Sequence, residues 1–430
     1  MVSLISKVYA QIMIHQINRY LDINKILYTH QFGFRKKTST EDAVRCCHET
    51  LQKSLNLYSV VIAIDLKKAF DSVSIRLLKM KLKRLGFSKT AIKSMSSYLE
   101  GRSQFVQVSK GSKKYTSEIL NILGGVGQGT AIGPLLFLIF INDIAPYLKK
   151  QAFKIVLSIF LILLFADDVL LILSNKNLNN LEVDAYILIN LFNQWCEINL
   201  LSMNRVKTIF FLCNRKPKPG ISFNILVDET EINRTLVIKY LGLLIDEKLN
   251  FSHHVNQLCA KLNSSTFVLR SLARFCDSNL LLTVYHALVV SHINYCLSVW
   301  SNCNQKLLEK VFKIQKKAVR YIFKLRKSDS CKPYFINNNI LTLPMIIAKA
   351  VKLYVSYSQS TNGLSSKHSH NTRNAVNSNL PRSYLRKGHT FFEKLPDYVK
   401  KGKGEINFKV KLHRYLGQLE IYDIDEYLAS

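Results

Sequence analysis

The 430-residue chain predicts an α+β fold, on three observations. Short aliphatic, β-branched runs at 60–64 (VVIAI), 208–212 (TIFFL) and 238–245 (IKYLGLLI) have the make-up of buried strands. Between them, 68–85 and 181–199 carry apolar residues at helical spacing; Val73, Leu77 and Met80 share one face of the first. From Phe251 onward the pattern is mostly helical. The length exceeds the ~250–300 residues at which one core stops growing. Several domains are therefore expected, and 48% hydrophobic residues supply their interiors.

The elements follow in order. Residues 1–56 predict helix, loop, helix: Leu4, Val8, Ile12 and Ile17 mark an amphipathic first helix, and Ser39 or Thr40 caps the second after a basic loop at 29–40. The strand at 60–64 runs into Asp65. Residues 105–108 and 115–119 pair as a hairpin around Gly111. Five glycines between 124 and 133 make a loop, and Pro134 suits the first turn of the apolar helix behind it. FADDVLLIL (165–173) predicts strand–turn–strand with Asp167 and Asp168 at the tip. NRKPKPG (214–220) is a turn, and 356–390, rich in Ser, Asn, His and basic residues, predicts exposed linker.

The formal net charge is +31, from 60 Lys and Arg against 29 Asp and Glu. Residues 251–430 hold 27 of those bases and 10 of those acids, so the C-terminal part is the denser in positive charge. Such an excess favours a polyanionic partner. The nine cysteines have neither paired spacing nor the His partners of a zinc site, which predicts a reduced, intracellular setting in cytoplasm or nucleus rather than secretion. Polar residues break every apolar run of the first 21 residues, unlike a signal peptide. Residues 153–173 are strongly apolar, and membrane association through them is the weakest alternative. A span needs ~20 uncharged residues, and Asp167 and Asp168 interrupt it.

Asp65, Asp167 and Asp168 all adjoin β-type runs, where unpaired charge is costly. Two like charges ~4 Å apart repel by about 4 kcal/mol at an effective dielectric near 20. A divalent cation is the economical reason to gather them, since hard cations take oxygen ligands. The competing readings are a helix N-cap for Asp65 and a β-turn pair for Asp167 and Asp168. Asp71 reads as a helix-start acid.

A second signal is a basic stripe. Lys310, Lys313, Lys317, Arg320, Lys324 and Lys327 recur at steps of 3, 4, 3, 4 and 3, with Leu308, Val311, Phe312, Ala318, Val319, Ile322 and Leu325 opposite them. On one helix the stripe would run roughly 25 Å. No acids alternate with these cations, so phosphates are favoured as partners over an ordinary solvated face. His253, His254, His286, His292, Cys296 and Cys303 are too loosely spaced to favour a metal over packing.

Taken in order, QFGFRKKTST, AIDLKKAFDSV, GVGQGTAIGPLLFLIFINDI, FADD, LLSMNRVKT and KYLGLLID resemble the successive motifs of reverse transcriptases from non-LTR (LINE-type) retrotransposons. YHALVVSHINYCLSVW, IQKKAVRYIF and SHNTRNA resemble the thumb and tail of such proteins, so the resemblance covers nearly the whole chain. It implies a right-hand polymerase. Partial fingers and an antiparallel palm would occupy 1–250, a helical thumb 251–330 and a basic C-terminal region 331–430. It implies RNA-directed DNA synthesis on an RNA template and a DNA primer, with dNTP substrates, no membrane partner, and two Mg²⁺ ions or Mn²⁺ in their place.

Carried over by position, Asp65, Asp167 and Asp168 match the metal ligands, and Lys207 the lysine that protonates pyrophosphate. Phe70 matches the gate against a 2′-hydroxyl, against a bland reading as core. Gln128 and Gly129 match the nucleotide-contacting loop, Arg35 a residue near the triphosphate, and Tyr240 and Gly242 the primer grip. The alternative function is a nucleic-acid-binding remnant that does not polymerise.

Three departures stand out. Gly127 and Thr130 replace the family's proline and serine, with Gly127 expected to loosen the loop. SIFLIL (158–163) reads as an insertion that puts strand register at stake. The chain begins inside the expected fingers, without an endonuclease domain, as a truncated reading frame would.

Overall fold

The computed structural model describes residues 4–122, 124–127, 130–151, 158–213, 222–350, 395–400 and 408–419. The expected turn at 214–220 and linker at 356–390 lie outside them. The chain forms two compact units, one of Met1–Ala43 with Ser54–Ile238, the other of Val44–Lys53 with Lys239–Ser430.

The first unit begins with α1 (Leu4–Ile23) and a loop leading into the first residues of α2 (Thr40–Lys53), whose remainder from Val44 is counted with the second unit. Ser39 caps α2 reciprocally: its Oγ accepts from Asp42 N (3.2 Å), and its own N donates to Asp42 Oδ2 (2.8 Å). Next come β1 (Tyr58–Ile64), α3 (Ile75–Arg84) and α4 (Lys89–Leu99). The short strands β2 (Ser103–Gln104) and β5 (Leu120–Asn121) pair at the base of an exposed hairpin, β3 (Gln107–Lys110) with β4 (Lys113–Thr116). Gly111, at φ +61, turns that hairpin as expected. Helices α5 (Gly133–Ile141) and α6 (Ile144–Gln151) precede β6 (Ile159–Phe165) and β7 (Asp168–Asn175); then α7 (Leu178–Ile198), β8 (Ile209–Cys213), the small pair β9 (Leu226–Val227) and β10 (Thr230–Glu231), and β11 (Asn233–Arg234).

Five strands form one sheet in the order β11-β8-β1-β7-β6, antiparallel except for the β11–β8 pair. Alternation sorts the side chains. Val60, Ile62, Ile64, Ile162, Leu164, Val169, Leu171, Leu173, Phe210 and Leu212 fill one face, beneath Leu78 and Leu82 of α3, Leu136 and Phe140 of α5, and Leu188, Phe192 and Trp195 of α7. Hydrophobic burial of this face holds the unit together.

The register question resolves in favour of the sheet. Ile159 to Phe165 pair without interruption against Ser174 to Asp168. SIFLIL thus supplies most of β6. Six residues is an even number, so an insertion of that length keeps each side chain on its face. The hydropathic run at 153–173 is in its described part a β-hairpin, and no described helix is long and apolar enough to cross a membrane.

In the second unit the expected single strand at 238–245 is a hairpin. The chain enters the unit along β12 (Val237–Tyr240) and returns along β13 (Leu243–Asp246). Leu241 and Gly242 have φ of 45° and 85°, both positive as a type I′ turn requires. Asp246 then caps the turn into α8 (Ser252–Leu272), accepting from Asn250 N (3.1 Å) and Phe251 N (2.7 Å). After α9 (Ser278–Tyr285), a π-helical turn (His286–Val290), α10 (Ser291–Asn294) and α11 (Leu297–Trp300) comes α12 (Gln305–Ile322), followed by α13 (Lys332–Asn337). Leu258, Leu262 and Leu269 of α8 and Val311, Val319 and Ile322 of α12 are buried.

Leu171 is fully buried and pairs with Ile62 on one side and Ile162 on the other. Leu171→Ala should cost about 3 kcal/mol. Urea unfolding checks this: the midpoint falls and the slope stays unchanged.

Candidate active site

Asp65 follows the last residue of β1. Because Ile64 pairs with Val169, Asp65 and Asp168 are the next residues along at the same end of the two strands. Alternation puts Asp65 with Val61 and Ala63, and Asp168 with Leu170 and Ile172, on the face away from the helical core. Asp167 lies between β6 and β7 in a two-residue turn with Ala166, closed by the Phe165–Asp168 pair. Ala166 has φ +55, and only this first turn residue is left-handed, as in a type II′ hairpin.

Asp65 is not a helix N-cap; Ser74 caps α3 by accepting from Leu77 N (3.4 Å). Instead the chain continues extended against 202–204, with a Leu66–Met203 bridge and Lys67 N donating to Ser202 O (2.8 Å). Asn204 donates from its N to Asp65 O (2.8 Å) and from Nδ2 to Asp65 Oδ2 (2.9 Å). Asp65 N donates to Thr208 Oγ1 (3.4 Å). The sequence reading missed Asn204, although it sits in a motif already singled out. A lone Asn four residues before an expected strand carries no signal of what it touches.

Burial raises the pKa of Asp167, and the charge of Asp65 adds to the rise. Burial raises Asp168 too, followed by Asp167 and then Asp65. The three carboxylates thus feel one another. Their donor chemistry, all hard oxygen, fits a divalent cation, which would turn mutual repulsion into attraction. The side chains do not close on one point: among the described residues no three Asp, Glu, His or Cys side chains form a group that could hold a metal ion.

The Phe70 ring is half-buried, stacked on Phe137 of α5 (4.5 Å, 23°) and met edge-on by Phe34 (6.4 Å, 89°). The glycine loop lies against its backbone. Val126 N donates to Phe70 O (3.0 Å), and Gly125 N to Val73 O (2.9 Å). Gly125 has φ +79, and a Cβ there would lie 2.9 Å from Asp71 Cα, so only glycine fits. Arg102, which the sequence did not single out, ties the loop down: Nη2 donates to Gly125 O (2.6 Å) and Nε to Leu99 O (2.7 Å). Gly127, expected to loosen the loop, has φ +70, which proline's ring forbids. Thr130 accepts from Gly133 N (3.2 Å) through Oγ1, which also donates to Gly127 O (2.9 Å), and so ties the loop to the first residue of α5.

These pieces border a cavity of about 710 Å³ lined by Phe34, Phe70, Thr130, Asp167 and, from α1, Lys7 and Gln11. The sequence reading did not single out the two α1 residues; α1 buries Ala10, Met13, Ile17 and Leu21, while Leu4, Val8 and Ile12, expected to mark its apolar face, are exposed.

The other expected site residues scatter. Arg35 donates from Nη1 to the carbonyls of Tyr28 (3.0 Å) and Gln31 (3.1 Å) within its own loop. Lys207 is exposed, three residues past Asn204, whose Oδ1 accepts from Lys207 N (3.4 Å). Gln128 and Gly129 lie outside the described residues. In the second unit Tyr240 is buried, and Gly242 turns the hairpin beneath Tyr295, whose hydroxyl donates to Leu241 O.

The basic stripe needs correction. Helix α12 stops at Ile322, because Lys324 is left-handed (φ +54) and Leu325 N reaches back to Arg320 O (2.9 Å), a Schellman ending. Lys310, Lys313 and Lys317 form the exposed helical stripe, about 15 Å from Lys310 to Arg320. Arg320 is half-buried, and Lys324 and Lys327 lie beyond the helix.

Residues 1–245 match the family described as reverse transcriptase (RNA-dependent DNA polymerase). The chain is 25% identical over 389 residues to a probable RNA-directed DNA polymerase from transposon X-element of Drosophila melanogaster, covering 88% of this chain and 40% of that protein. It is 26% identical over 329 residues to the RNA-directed DNA polymerase from mobile element jockey of the same species, covering 74% and 34%. It therefore spans well under half the length of these relatives. An apo telomerase structure from Candida tropicalis aligns with TM-score 0.41 and 14% identity over 83% of this chain and 60% of that one.

A carboxyl whose folded pKa exceeds its unfolded value holds protons that the unfolded chain has released. Stability then falls as pH rises from the ordinary value, 3.8, through the raised one. Asp168→Asn should therefore raise the thermal midpoint at neutral pH in chelator. The gain should vanish below about pH 4, as a pH series of melting curves would reveal.

Proposed function

Since the chain belongs to the reverse transcriptase (RNA-dependent DNA polymerase) family, we propose that it extends a DNA primer on an RNA template with dNTPs, as the polymerase part of a non-LTR retrotransposon protein. The proposed division is partial fingers and palm in 1–250, thumb in 251–330 and a basic region in 331–430. The observation that carries the reading is that Asp65 and Asp168 lie at one end of the β1–β7 ladder, each carboxylate within electrostatic reach of the others, with Asp167 in the adjoining turn beside the cavity walled by Phe70.

Asp65, Asp167 and Asp168 would hold the cations, magnesium or manganese. When bound, these lower the pKa of the primer hydroxyl and neutralise charge on the triphosphate. The chain's own residues do the positioning. Asn204 fixes one oxygen of Asp65, and the stacked Phe70 ring, backed by Phe137, bars a 2′-hydroxyl by its bulk. The backbone of 124–127, pinned by Arg102, holds that ring's segment in place. In the second unit Lys310, Lys313 and Lys317 would follow nucleic-acid phosphates. Nine free cysteines suit an intracellular setting.

Primer extension on an RNA template with Mg²⁺ tests the reading. The parent should extend, and Asp167→Asn should lower the rate by at least about 10³-fold while template–primer affinity stays within about twofold. A parent that binds without extending would make the chain a binding remnant. Replacing Lys310, Lys313 and Lys317 together by Gln should flatten the slope of log K against log salt by about 3, near 0.9 per lost phosphate contact. An unchanged slope would remove that stripe from the interface.

A further inference from the structure

The turn that carries Asp167 is not self-sufficient. Its first residue is Ala166 at φ +55, a conformation an L side chain disfavours and one that glycine usually fills. It also follows β6, which among the described residues is the edge strand of the sheet, paired with β7 on one side only. Something outside the hairpin must hold it.

The loop before α2 does so. His30 O accepts from Leu164 N (3.0 Å) and Phe32 N donates to Leu164 O (2.8 Å), so the loop adds a parallel bridge to the edge of β6. From the middle of that bridge the Gln31 side chain, 1% exposed, reaches the turn. Its Oε1 accepts from Gly33 N (2.9 Å) and from Ala166 N (3.1 Å). The other half of the amide, Nε2, is buried with no partner among the described residues, so the oxygen is the working half. Gly33 closes the contact by shape: a Cβ there would lie 2.4 Å from Ala166 N and 2.9 Å from Phe165 C, both backbone atoms.

The loop is itself braced. Arg35 clamps the carbonyls of Tyr28 and Gln31, and Thr38 Oγ1 donates to Phe32 O (2.7 Å). Its next residue, Phe34, meets Phe70 edge-on and lines the same cavity as Asp167.

We propose that Gln31 and Gly33 are positioning residues for catalysis: they lock the Ala166–Asp167 turn against the loop and thereby fix the Asp167 carboxylate relative to the Phe70 wall of the cavity. Arg35, as their brace, acts through the loop. The catalytic half of the proposal rests on the polymerase reading; the structural half does not.

The test uses the full chain with Gln31→Met, which keeps the shape and loses the acceptor, and Gln31→Glu, which keeps the acceptor. Amide hydrogen exchange across 163–172 is read beside steady-state primer extension. In Gln31→Met the Ala166 amide should exchange about tenfold faster while Leu171 and Ile172 stay protected. The kcat should fall about tenfold or more, with KM for template–primer within about twofold. Gln31→Glu should restore both to within about threefold. Gly33→Ala should lower kcat further if it folds, and the Gln31 pair decides the matter if it does not.

Unchanged exchange at Ala166 in Gln31→Met would overturn the lock. Equal losses in Met and Glu variants, matched by equal drops in thermal midpoint, would reduce Gln31 to a packing residue and overturn it as well. If exchange responds as stated but the parent extends no primer, the lock stands and the polymerase reading fails.

Discussion

The antiparallel ladder between β1 and β7 is the constraint on which the site depends. Seven consecutive pairs, from Tyr58–Asn175 to Ile64–Val169, leave no freedom about which residue comes next. Two carboxylates are thereby brought to the same end of a sheet, where like charges oppose one another. Neither would choose that place. The apolar residues of the same strands, buried against α3, α5 and α7, supply the free energy that keeps the ladder in register.

Around that ladder the chain uses side chains to hold backbone more than to reach substrate. Asn204 holds the strand end that carries Asp65, Gln31 the turn that carries Asp167, and Arg102 the glycine loop behind Phe70. Each acts over a long sequence separation from its target, and each comes from a segment with no regular structure of its own. Rigidity in the site therefore comes from irregular segments docked onto a sheet. A docked segment is fixed only by such hydrogen bonds and by close contacts such as those of Gly33 and Gly125.

Most of the scaffold was legible in the residues, for a local reason. Strands β1 and β7, helices α5 and α7, and the hairpin around Gly111 follow from period and turn chemistry, which neighbouring residues determine. The misreadings have equally physical causes. Residues 238–245 look like one strand because Tyr240, Leu243 and Ile245 are apolar throughout, while the turn depends on Leu241 accepting a positive φ that its type does not advertise. The basic stripe looked longer than α12 because its spacing runs on past Phe323, where Lys324 takes the left-handed ending that glycine usually takes. SIFLIL looked disruptive when counted as added length, but an even count leaves a strand's faces unturned.

By itself the sequence determined the class of fold, the order of strands and helices, and three aspartates placed where β-type runs end, because composition and periodicity are properties of short stretches. It could not determine what Arg35, Arg102, Asn204 and Gln31 touch. A polar side chain in a loop has many partners open to it in an extended chain, and only the folded arrangement of distant backbone leaves it one. The tertiary structure decided that Arg35 braces its own loop and that Gly127 takes a backbone closed to proline, which depend on how loops fold and dock; it also brought Asp65 and Asp168 to one end of a ladder, which depends on register between strands about a hundred residues apart.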